Sequence, residues 1–157
     1  PGRKKLDAAD LGLPILEDVR IALNVTECDA QQLVVLRGDD QQIKKMRQKL
    51  VALSWSEQLI GRFLYAVADD NTDWKSLKGA DKGSKAGVMI VRTEQYGLTG
   101  EVVSAAKASA TVTELQEMLL AAVASHRPKA VDTRRLRRKG IRDRVQWKAE
   151  ISPPKGR

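Results

Sequence analysis

Three short, uninterrupted apolar runs constrain this chain more than any other feature: Leu33-Val34-Val35-Leu36, Phe63-Leu64-Tyr65-Ala66-Val67-Ala68 and Val88-Met89-Ile90-Val91. A strand with one wet face alternates apolar and polar residues, whereas a strand covered on both faces reads as a continuous apolar run. After the first run, Gly38-Asp39-Asp40 stops the strand and supplies a helix cap. Ile43, Met46, Leu50 and Leu53 then recur at spacings of three and four, with Lys44, Lys45, Gln48 and Lys49 on the outer side. Helical sequence between the first two runs predicts parallel strands joined by a right-handed crossover. The expected class is α/β with a mixed central sheet.

The remaining segments extend this pattern. Ile15, Leu16, Val19, Ile21, Leu23 and Val25 predict a first helix from Ile15 to near Ala30. Ser54-Trp55-Ser56-Glu57 has the form of a capping box and predicts a short helix ending near Gly61. Residues 69–86 read as a polar connection with one helical piece around Trp74–Leu77. Tyr96-Gly97-Leu98-Thr99-Gly100 is a turn signal, so Glu101–Ala105 is expected to pair with the third run as a hairpin. Thr111-Val112-Thr113-Glu114 is another capping box. It opens an amphipathic helix through Val112, Leu115, Met118, Leu119, Ala122 and Val123.

Charge divides the chain. Residues 127–157 hold 12 Lys/Arg against 3 Asp/Glu, and residues 1–126 hold 16 against 17, so the net charge of +8 belongs to the C-terminal segment. The expected organisation is an N-terminal extension over 1–14, one domain over 15–126 and a basic tail over 127–157. Aromatic residues make up 4%, so the core must be aliphatic. No apolar run approaches the ~20 residues that span a bilayer. Cys28 is the single cysteine, which excludes an internal disulfide and a cysteine-based zinc site.

The stretch Leu33-Val34-Val35-Leu36-Arg37-Gly38-Asp39-Asp40-Gln41-Gln42-Ile43-Lys44-Lys45-Met46, in this order of elements, resembles the redox strand and helix of thioredoxin-like proteins. The following Ser-x-x-Glu segment and apolar run are similar to the members whose second helix is interrupted. The resemblance spans roughly residues 15–126 and implies a three-layer thioredoxin-like sandwich, with the basic extension added to it. It places Asp40 and Ile43 where the family carries Cys-x-x-Cys, and Ala86-Gly87 where the family carries a cis-proline. A thioredoxin site needs a thiolate at a helix N-terminus and a second thiol one turn on to resolve the mixed disulfide. Asp40 and Ile43 supply neither. The resemblance therefore implies a redox-inactive, non-enzymatic module without cofactor or metal. Its degenerate site, Asp39, Asp40, Gln41, Gln42, Ile43, Ala86 and Gly87, would face a protein or peptide partner.

Other motifs carry less. Asp39 and Asp40 suit a helix start, where the dipole favours acids. Cys28 lies between Glu27 and Asp29, which oppose thiolate formation. Asp69-Asp70-Asn71-Thr72-Asp73 begins like a calcium loop, but Trp74 and Ala80 stand where that loop needs Gly and Glu. Gly79–Lys85 has the wrong order of Lys and Ser for a phosphate loop. His126 has no nucleophile motif beside it, and Asn24-Val25-Thr26 is a glycosylation sequon inside a predicted helix. The alternative function is nucleic-acid or polyanion binding through the tail. Arg134, Arg135, Arg137, Arg138, Lys139, Arg142 and Arg144 would neutralise phosphates and Trp147 would stack.

Overall fold

The computed structural model describes residues 12–80, 85–127 and 132–146. The described elements, in chain order, are β1 (Ile15–Leu16), α1 (Val19–Cys28), β2 (Gln32–Arg37), α2 (Asp40–Ser54) and β3 (Phe63–Val67). A single 3-10 turn (Trp74–Ser76) leads into β4 (Leu77–Lys78), and β5 (Gly87–Thr93), β6 (Gly100–Lys107), α3 (Val112–Ser125) and α4 (Thr133–Arg142) follow. The strands form one mixed sheet in the order β1-β3-β2-β5-β6-β4.

Side chains of β2 alternate between two cores, which explains its unbroken apolar run. Val34 and Leu36 join Tyr65, Val88 and Ile90 on one face, beneath Ile43, Met46 and Leu50 of α2 and Leu115 and Leu119 of α3. Leu33 and Val35 join Ala66, Met89 and Val91 on the other face, beneath Val19, Ala22 and Leu23 of α1. Burying each such side chain contributes about 1.5–3 kcal/mol, so two facing cores hold the sheet as the middle layer.

Pairing follows the crossover rule. β2 and β3 run parallel with Val34 opposite Tyr65, and β5 pairs antiparallel with both β2 and β6. The hairpin of β5 and β6 is the one expected from the turn at Tyr96–Gly100, with both strands longer than their apolar cores suggested.

Three local expectations are corrected. Ile15 and Leu16 are a short strand beside β3, and the first helix begins only after Asp18, whose Oδ1 accepts from the backbone N–H groups of Arg20 (2.8 Å) and Ile21 (3.2 Å). The Ser54–Glu57 segment opens no helix. Ser54 is the last residue of an uninterrupted α2, its Oγ donates to the Val51 carbonyl (2.8 Å), and residues 55–62 are successive turns. The helical piece near Trp74 is one turn, and Leu77 already belongs to a strand paired with Gly100 of β6. Among the described residues no helix is long and apolar enough to cross a membrane.

Tyr65 carries a strain of polarity. Its ring is 1% exposed, and its hydroxyl is buried with no partner among the described residues. Burial pushes its pKa far above the ordinary 10.0. Above pH 10 the unfolded chain releases this proton while the folded chain keeps it, so Tyr65 lowers stability as pH rises. Tyr65→Phe removes an unpaired buried hydroxyl and is expected to raise stability by about 1 kcal/mol. It should also flatten the alkaline decline in urea midpoints measured between neutral pH and pH 10 and above.

Candidate functional site

The loop from Gly38 into α2 forms one end of a groove. Asp39 is the N-cap: its Oδ1 accepts from the Gln42 N–H (2.8 Å), and the Gln42 Oε1 accepts from the Asp39 N–H (3.0 Å). Asp40 is the first residue of the helix, where an acid complements the dipole. Gly38 has φ +155°, and a Cβ there would collide with the Gln42 side chain. The cap, the glycine and the helix start thus require one another. Asp39→Ala is expected to cost about 1 kcal/mol, and Asp40→Ala less than half of that, because only Asp39 satisfies a backbone donor. Urea unfolding of both variants checks the difference.

Asp39, Asp40, Gln42, Ile43 and Ala86 share this groove. The groove therefore groups residues that the chain separates by more than forty positions. Gln41 is exposed beside them in the first turn. Gly87 does not line the groove. It is buried in β5, opposite Arg37 of β2 and Lys107 of β6, and any Cβ would meet the backbone of Ala106. No cis peptide occurs among the described residues.

Sequence patterns missed the rest of the groove. Arg37, at the end of β2, lies over the Trp74 ring, 4.2 Å from its centroid, so cation–π attraction ties the strand end to the 69–76 loop. Glu17, Asp69 and Asp70 add to Asp39 and Asp40, against Arg37, Arg47 and Lys85. Among the described residues five carboxylates face three cations, so this part of the groove is acidic. The supposed calcium-loop fragment is spent on its own turns. Asp69 Oδ1 accepts from the Asn71 N–H (2.9 Å) and Thr72 Oγ1 (3.2 Å), and Asp73 Oδ1 accepts from the Lys75 N–H (3.1 Å). Among the described residues no three His, Cys, Asp or Glu side chains are grouped to hold a metal.

At the opposite end of the sheet, α4 folds back against the domain. Asp132 caps it by accepting from the N–H groups of Arg134 and Arg135 (3.1 Å each). The Tyr96 hydroxyl donates to Asp143 Oδ2 (2.8 Å), and Lys139 Nζ donates to Gln95 Oε1 (3.2 Å). The basic cluster is thereby split. Arg135, Lys139 and Arg142, spaced four and three apart, line a cavity, while Arg134, Arg137 and Arg138 do not. Arg144 follows the helix with φ +54°. Trp147 lies outside the described residues. Arg92 of β5 and Arg127 after α3 join the cavity wall. Arg92 is the first exposed residue after the buried run of β5.

Cys28, the last residue of α1, is exposed and lines neither the groove nor the cavity. His126 Nε2 is 3.2 Å from the Ala30 carbonyl, which makes Nε2 the protonated nitrogen. Comparisons of the chain with family models, with curated proteins and with solved structures found no match.

Proposed function

We propose that this chain is a thioredoxin-like domain without dithiol chemistry, and that its groove at the start of α2 receives a basic segment of a protein partner. The observation that carries this is the meeting of Asp39, Asp40, Gln42 and Ile43 with Ala86 in one acidic groove; on the proposed resemblance, Asp40 and Ile43 take the places of the family's two sulfurs. No cysteine is present there to form a mixed disulfide, so the surface can hold a partner but not exchange electrons with it. The carboxylate excess favours cationic segments and repels acidic ones. The Trp74–Arg37 pair supplies a flat, partly apolar wall against which a side chain can rest.

A photo-crosslinking residue in place of Gln41 tests this directly, since Gln41 is exposed and has no role in the cap. The expected result is a discrete adduct with one partner, lost on Asp40→Lys and retained on Gln48→Lys on the outer face of α2. Adducts that ignore Asp40→Lys, or none at all, would reject the groove. Disulfide-reductase turnover by the purified chain would reject the absence of redox chemistry.

A further inference from the structure

We propose that the cavity beneath α4 binds a compact, multiply charged phosphate ligand, such as the phosphate chain of a nucleotide. The cavity measures about 970 Å³, within the size range of small-molecule sites. Five cations converge on it from three places: Arg92 from β5, Arg127 from the end of α3, and Arg135, Lys139 and Arg142 from one face of α4. Glu27 and Asp132 are the carboxylates on its wall, and Asp132 already serves the α4 backbone.

The cations are poorly neutralised from within. Arg127 Nη1 donates to the Ala124 carbonyl (2.8 Å), and Lys139 to Gln95. The guanidinium groups of Arg92, Arg135 and Arg142 make no hydrogen bond or ion pair with any described residue. Arginine forks match phosphate oxygens two at a time, and charge-assisted bonds of this kind are the strong ones. Among the described residues the wall holds no Trp, Tyr or Phe on which a base would stack, and its one aromatic ring, His126, is tied through Nε2 to the Ala30 carbonyl. Those features favour recognition of the phosphates themselves over a strand read through its bases. The cavity lies at the far end of the sheet from the acidic groove, so the two sites stand or fall separately.

Isothermal titration of the full chain with sodium tripolyphosphate at about 150 mM salt, where charges further apart than about 8 Å are screened, tests the site, with a fluorescein-labelled single-stranded oligonucleotide titrated in parallel. Tripolyphosphate should bind, and Arg92→Ala and Arg135→Ala should each weaken it about tenfold or more. The triple variant R134A/R137A/R138A, which removes more charge from the other faces of α4, should stay within about twofold, because screened surface charge is not a fixed contact. Both single substitutions are at exposed positions. Circular dichroism verifies folding, and Lys139→Ala replaces either variant that fails to fold. Three results would each overturn the proposal. They are the absence of tripolyphosphate binding, an equal loss in the triple variant, and tighter oligonucleotide binding that depends on the outer arginines.

Discussion

Replacing Gly87 with alanine is expected to cost about 3 kcal/mol, among the larger penalties for overpacking, and to lower the melting temperature by roughly 6–12 °C. The added methyl would overlap the Ala106 carbonyl oxygen, beside the Lys107 Cα. These are backbone atoms of β6, so no rotamer change relieves the contact. The strand cannot drift either, because β5 is hydrogen-bonded to β2 on one side and β6 on the other. Thermal unfolding followed by circular dichroism measures the loss. An unchanged melting temperature would mean that the β5–β6 register at Gly87 and Lys107 is wrong.

Leu50→Ala should be of similar size, about 2–5 kcal/mol, through lost burial and the cavity left behind. Leu50 is 0% exposed in the core shared by α2, α3 and the sheet. Gln48→Ala, two residues away on the exposed face, should change stability by no more than about 0.5 kcal/mol. Denaturant midpoints of the pair test the orientation of α2, and with it the direction in which Asp40 and Gln41 face the groove. Similar losses from both would contradict that orientation.

These two residues also show where sequence reasoning reaches and where it stops. Leu50 was legible because its face is set by local periodicity. Gly87 was not: its resemblance to a proline position pointed to the groove, but its buried role depends on a strand thirteen or more residues away. Ile15 and Leu16 continue a helical pattern on paper, and pairing with β3 takes them into the sheet, while Asp18 held the cap signal that marked the true start. Ser54-Trp55-Ser56-Glu57 has the letters of a capping box, yet Ser54 bonds backward to Val51 and closes a helix. Asp39, Asp40, Gln42, Ile43 and Ala86, which line one groove, were singled out in the sequence only through a resemblance and not through any local pattern. The grouping of Arg92 and Arg127 with Arg135 did not follow from any local signal, because convergence of distant cations is a tertiary property.

The docking of α4 has a consequence for ionic strength. Among the described residues two side-chain hydrogen bonds, from Tyr96 to Asp143 and from Lys139 to Gln95, tie the helix segment to the domain, while three of its cations share a cavity wall with Arg92 and Arg127. The segment is thus clasped against its own electrostatic recoil. Dissolved ions soften like-charge repulsion, so moderate salt should slow amide hydrogen exchange across Thr133–Arg142. Most surface contacts between opposite charges respond to salt in the reverse sense.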